Sequence, residues 1–252
     1  MSNNYKEGSG ANKIKPWDIE ATNLSANFGY ILCIGIKNLG EKNTRCYSVD
    51  DYPLYKKDPT NDSALLEDAA KDLADSGAWV TWYGGGFDVP FVQTRLLYHG
   101  MKPLPMIPHI DGWRIAKYKM KLNSNRLATV SSFLDIEEKT PLNGPIWIKA
   151  SAGDNKALQY IKEHCVQDVI VLEQAFNRIK PLMSNSPNLS LLKSLESRGD
   201  GVQLCPICAS PDLQMRGRSI TATGSRQRFQ CKDCGGWSRG RVERVKGLEA
   251  RT

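Results

Sequence analysis

Three β-rich segments crowd into the first fifty residues of the chain, and that crowding is the strongest constraint on its fold. KIKPWDIE, GYILCIGIK and TRCYSVD carry strand-like apolar patterning and are joined by short polar connections, so they predict a meander. A helix is expected over NDSALLEDAAKDLADSG, where apolar residues recur at helical spacing; Asn61, Asp62 or Ser63 would cap its start and Gly77 its end. AWVTWYG reads as a short buried strand. Three glycines then lead into a second helix, FDVPFVQTRLLYHG. Pro90 falls in its first turn, where a missing N–H matters least, and Gly100 closes it. LPMIPHID is the expected fifth strand, held to an edge or left irregular by its prolines. RLATVSSFLD reads as helix. A last long helix runs from about Asp154 to Ile179, with Leu158, Ile161, Cys165, Val169, Leu172 and Phe176 on one face. The order predicts an α/β domain over residues 13–180, a mixed five-stranded sheet flanked by helices.

Beyond residue 180 the texture changes. Pro, Ser and Asn become common and the core pattern fades, so residues 181–202 read as a linker and 203–252 as a small module with a basic tail. The first dozen residues read as a disordered tail. The mean hydropathy of −0.43 suits a soluble protein, and no apolar run approaches membrane-spanning length. With no apolar signal segment, the expected compartment is cytoplasmic, a host cell's if the chain is viral. The net charge is +7, and residues 201–252 hold ten Lys/Arg against four Asp/Glu, so nearly all of it belongs to the C-terminal fifth. That balance favours polyanionic partners.

Four acidic residues fall in three separated pieces: Asp18 and Glu20 in WDIEAT, Asp88 in GGGFDVPF, Asp168 in HCVQDVIVL. Two apart on a strand, Asp18 and Glu20 point to one face. His164 precedes Asp168 by four residues, so both leave one helix face. Three glycines before Asp88 allow close backbone approach to a ligand. Like charges gathered in one place need a counter-charge, and divalent cations supply it. Two such cations, Mg²⁺ or Mn²⁺, would activate water and stabilise a leaving oxygen at phosphorus, with His164 beside the water. Taken singly, each residue has a plainer role: Asp88 as a helix cap, Asp168 on a solvated face, His164 as a structural histidine.

WDIEATNL, WYGGGFDVPFVQTRLL and HCVQDVIVLEQAF resemble the three exonuclease motifs of the DEDD 3′→5′ exonuclease superfamily. The nearest branch includes the proofreading domains of family B polymerases and YprB-type ribonuclease-H-like domains. HIDGW and KTPL between the motifs are typical of it too. The resemblance covers residues 13–180 and implies a ribonuclease-H-like fold. It implies that Asp18, Glu20, Asp88 and Asp168 hold the metal ions, Asp18 touching both and Asp88 partly through water. It also implies removal of nucleotides from single-stranded or frayed DNA ends, RNA being the alternative substrate, with a polymerase or other replication protein as a partner. The third motif departs from the pattern. The superfamily has Tyr-x3-Asp or His-x4-Asp, and this chain has His164-x3-Asp168, with Tyr160 a turn further back. His164 is assigned to orient the attacking water. Asp111 and His109 read as structural. Phe87, Phe91, Trp82 and Tyr83 are candidates to shape a base pocket or to fill the core, and Lys119, Lys121 and Arg126 to meet phosphates or solvent. A non-catalytic binder on the same scaffold is the rival class.

CPIC, 22 intervening residues and CKDC place Cys205, Cys208, Cys231 and Cys234 as two zinc knuckles holding one structural Zn²⁺. Pro206 and Gly235 suit their turns. Arg216, Arg218, Arg226, Arg228, Arg239 and Arg241, interleaved with Phe229 and Trp237, read as a nucleic-acid surface; protein docking is the alternative. Cys33, Cys46 and Cys165 stand alone among apolar neighbours and read as ordinary buried thiols.

Overall fold

A computed structural model describes residues 13–136, 144–184, 187–192, 203–221 and 224–244. The expected N-terminal tail, the KTPL segment, most of the expected linker and the end of the basic tail lie outside the described residues. The chain divides into two compact units, Met1–Arg178 and Ile179–Thr252.

In the first unit, β1 (Ile14–Ala21), β2 (Ile31–Lys37) and β3 (Thr44–Ser48) form the predicted antiparallel meander. Helix α1 (Ser63–Ala74), strand β4 (Ala78–Thr81), helix α2 (Asp88–Tyr98) and strand β5 (His109–Asp111) come next along the chain. The sheet order is β3-β2-β1-β4-β5; β4 runs parallel to β1, and β5 parallel to β4. This is the mixed five-stranded sheet that the segment order predicts. Strand β1 changes partners along its length: Ile14–Pro16 pair with β4, and Trp17–Ala21 pair with β2. It is therefore the central strand, and β2 beside it is buried throughout. Of LPMIPHID only the last three residues become strand, because the prolines interrupt the ladder.

Helix α3 (Gly112–Lys119), α4 (Leu127–Phe133), α5 (Gly144–Ser151) and α6 (Asn155–Ile179) complete the unit. The Asp154 carboxylate caps α6 by accepting from Ala157 N at 2.9 Å. Its six predicted apolar residues are all 0–1% exposed. A Cβ added at Gly35 on β2 would meet Val169 Cγ2 at 2.9 Å and Cys165 Sγ at 3.0 Å. Glycine there lets α6 lie directly on the sheet. Asp62 departs from expectation: its side chain does not cap α1. It is fully buried and receives Ile31 N at 2.9 Å, the Arg95 guanidinium through two nitrogens, and His99 Nε2 at 2.7 Å. A buried carboxylate needs such partners, and a salt-bridged network outweighs one helix N–H.

The second unit contains β6 (Leu213–Thr221), β7 (Gly224–Cys231) and β8 (Trp237–Arg244), an antiparallel sheet in that order. Its buried apolar residues gather around Cys205, Ile207 and Cys231. Among the described residues, no helix is long and apolar enough to cross a membrane.

Candidate active site and cysteine cluster

Strand geometry sends Trp17 and Ile19 into the core and Asp18 and Glu20 to the opposite face. Glu20 is buried and Asp18 half-buried. Asp88 opens α2, and its Oδ1 accepts the Ile19 N–H at 3.2 Å, tying that helix to β1. The Asp18 side chain neighbours Asp88. Helix α6 contributes His164 and Asp168 one turn apart. His164 Nε2 lies 3.6 Å from Asp168 Oδ2 and 3.7 Å from Glu20 Oε1, an electrostatic contact longer than a hydrogen bond. The ligand atoms of Glu20, His164 and Asp168 all lie within 4.8 Å of one another, as do those of Asp18, Glu20 and Cys165. The fold thus brings together all five side chains singled out on the first unit. The one-residue departure in the third motif keeps His164 and Asp168 on one helix face.

This grouping is electrostatically costly on its own. Two carboxylates about 4 Å apart repel by about 4 kcal/mol at an effective dielectric of about 20. Asp88 records the strain. Burial pushes its pKa up from 3.8 to about 7, and the Asp111 charge adds to the rise, against N–H donors that lower it. A carboxylate set with one imidazole, its ligand atoms this close, fits a hard divalent cation of the Mg²⁺ or Mn²⁺ class.

One wall of the cleft is the turn after β4. Tyr83 adopts φ +67°, unusual for a bulky residue. The Asp111 carboxylate holds this turn: Oδ1 accepts Tyr83 N at 2.8 Å, Oδ2 accepts Gly85 N at 3.3 Å, and Oδ1 also caps α3 through Trp113 N at 3.1 Å. A Cβ at Gly84 would lie 2.2 Å from Thr81 Oγ1, so only glycine fits the bend. His109 Nε2 lies 2.8 Å from Thr81 Oγ1, and burial lowers its pKa. Asp111 and His109 therefore serve as supports of the turn that precedes Asp88.

The wall opens onto a cleft of about 370 Å³ lined by Asp18, Trp82, Tyr83, Trp113, Arg126 and Leu127. Tyr83 and Trp113 stand edge to face with centroids 4.9 Å apart. Of the four aromatic candidates, Trp82 and Tyr83 line this cleft, whereas Phe91 is 3% exposed in the core with Phe87 packed on it. Lys119 and Lys121 are exposed and do not line it. Sequence reasoning missed Trp113. The signal for it is the Asp111–Gly112 pair, which opens a helix through an aspartate cap.

In the second unit the four predicted cysteines converge. Cys205 Sγ is 3.8 Å from Cys234 Sγ, Cys208 Sγ is 3.7 Å from Cys231 Sγ, and all four sulfurs lie within 4.8 Å of one another. Both knuckles turn alike. Ala209 N donates to Cys205 O and Gly235 N to Cys231 O, with φ +58° at Ala209 and +74° at Gly235. Four thiolates at this spacing fit a tetrahedral Zn²⁺. Arg216, Arg218, Arg228, Arg239 and Arg241 are placed on the adjoining strands and all five are exposed there, and Trp237 is 51% exposed with the Arg228 guanidinium 5.8 Å from its ring centroid. Arg226 and Phe229 are half-buried, and Arg218 is paired with Glu243.

A family model described as RNase_H_2, of the RNase_H superfamily, matches residues 17–179. Among solved structures, the chain is similar to the family B DNA polymerase from the hyperthermophilic archaeon Pyrobaculum calidifontis. The identity is 12% and the TM-score 0.53, over 84% of this chain and 31% of the polymerase chain. At that identity the likeness is one of fold, and this chain spans under a third of the polymerase's length. No curated protein matches the sequence.

Proposed function

Because the chain belongs to the RNase_H superfamily across residues 17–179, we propose that its acidic cleft is the active site of a metal-dependent 3′→5′ exonuclease of the DEDD type. The substrate in this reading is the 3′ end of single-stranded or frayed DNA. The observation that carries it is the convergence of Asp18, Glu20, Asp88, His164 and Asp168 from one strand and two helices.

Asp18, Glu20, Asp88 and Asp168 would hold the cations, which supply charge neutralisation at the scissile phosphate and a water of lowered pKa. His164 Nε2 stands between Glu20 and Asp168, where it would orient the attacking water. The Ile19 N–H fixes the Asp88 carboxylate, so that side chain loses little freedom when it engages a ligand. Trp82, Tyr83 and Trp113 offer apolar faces next to Asp18 on which an unpaired terminal base stacks. A duplex interior cannot present such a base, which favours end-directed attack. The exposed arginines and Trp237 of the second unit suit contact with the strand's phosphates and bases.

Digestion of matched end-labelled DNA and RNA oligonucleotides with Mg²⁺ or Mn²⁺ tests the reading. Stepwise shortening from the 3′ end, abolished by Asp18→Ala with zinc content unchanged, is the expected result. Retained binding without any shortening would leave a nucleic-acid binder on a nuclease scaffold.

A further inference from the structure

Three cysteines far apart in sequence meet in the core of the first unit. Cys33 on β2, Cys46 on β3 and Cys165 on α6 have their sulfurs within 4.8 Å of one another. The register accounts for the first two. Cys46 lies opposite Gly35, two residues from Cys33, so the cysteines are diagonal neighbours on one face. Gly35 accounts for the third, since the absence of its Cβ is what lets Cys165 Sγ descend onto that face. Cys33 and Cys165 are buried, while Cys46 is half-buried and gives the cluster an edge toward solvent. Hydrogen bonds from Cys165 and then Cys33 lower the Cys46 pKa, with Lys162 assisting, while burial raises Cys33 and the bonds to Cys33 and Cys46 raise Cys165, so the three thiols share one readily lost proton at the Cys46 edge.

We propose that Cys33, Cys46 and Cys165 form a three-thiolate site for a soft d¹⁰ cation of the Zn²⁺, Cd²⁺ or Cu⁺ class, distinct from the four-cysteine cluster and from the carboxylates. Metal–sulfur bonds of about 2.3 Å in a trigonal plane place sulfurs about 4 Å apart, within the observed spread. Each cysteine gives a sulfur lone pair, and protons still on the thiols leave to solvent. Sulfur donors favour soft cations, whereas carboxylate oxygens such as those of Asp18, Glu20, Asp88 and Asp168 favour hard ones. The Cys165 sulfur belongs to both neighbourhoods. It also lies within 4.8 Å of Asp18 and Glu20 ligand atoms and donates to the Asp18 carbonyl at 3.8 Å. A cation that draws Cys165 into the thiolate set therefore acts beside the candidate active site. The inference holds whether or not the cleft is a nuclease.

The test is titration of the full-length, zinc-loaded protein with Cd²⁺ in excess Mg²⁺. Cadmium per chain is counted by native mass spectrometry, and the ultraviolet thiolate-to-cadmium charge-transfer band is followed. Wild type is expected to take up one more Cd²⁺ than Cys46→Ser or Cys33→Ala, and the band of that increment is expected to vanish in both. Asp18→Asn is expected to keep it, because the band reads sulfur ligation alone. Equal uptake and equal absorbance in wild type and Cys46→Ser would overturn the site and leave three thiols packed as small apolar side chains. Loss of the increment in Asp18→Asn would overturn it too, by making the site a carboxylate one. Cys46 is half-buried and serine nearly isosteric; should Cys46→Ser lose its circular dichroism, Cys46→Ala makes the same comparison.

Discussion

Gly35 and Ala209 are two residues whose replacement has opposite expected signs for the same kind of reason. Alanine at 35 would push against Val169 and Cys165. Overpacking of this sort costs about 1–3 kcal/mol, and because it lifts the α6 turn carrying His164 and Asp168, urea stability and nuclease rate are expected to fall together. Ala209 already bears the strain of a left-handed backbone. Ala209→Gly is expected to stabilise the second unit by about 1 kcal/mol, read from the midpoint of its thermal transition. Asp88 gives a pH prediction. Its folded pKa of about 7 lies above the ordinary 3.8, so folding favours the protonated form. The stability this contributes is complete below pH 3.8 and is lost as pH rises to about 7. With divalent cations chelated, wild type should therefore lose stability over that window, and Asp88→Asn should lose less. Parallel unfolding curves for the two would refute the burial argument.

At the scale of elements, legibility in the sequence tracks the strength of the period. Helix α6 is readable almost to the residue because six apolar side chains repeat along 25 residues. The meander is readable because its strands are neighbours in sequence. Helices α3 and α5 are not: each is eight residues long, α3 is held by the Asp111 cap, and α5 has a single buried residue. The carboxylates are legible through their motifs, whereas Trp113 depends on α3. The three-cysteine cluster is illegible for a stronger reason, since only the β2–β3 register and the depth of α6 bring those residues together. The turn after β4 is the element with the most to lose from a single side chain. Asp111→Ala would strip acceptors from three backbone N–H groups. A cost of about 1–3 kcal/mol is expected for each that stays buried and unsatisfied, and kcat should fall with zinc content intact. An unaltered kcat would mean that the turn holds its shape without this carboxylate.

For the whole molecule, the division into two compact units predicts separable responses to chelation. The second unit's core is small and built around cysteines, so its fold is expected to depend on a cation. A thiol-selective chelator is expected to unfold it while the helical circular dichroism of the first unit, which has a large apolar core of its own, persists. A single cooperative loss of both would contradict that independence. The basic excess is concentrated in the same C-terminal region, so removing the cation should also weaken any salt-dependent affinity for polyanions. Strand β1 has a different consequence. It is hemmed in by β2 and β4 and carries two of the acids on one face, so the floor of the cleft is expected to tolerate few substitutions. The Tyr83–Trp113–Arg126 rim hangs on a turn and on side chains outside the core. Variation that changes what the cleft accepts should therefore accumulate on the rim, leaving the acidic floor as it stands.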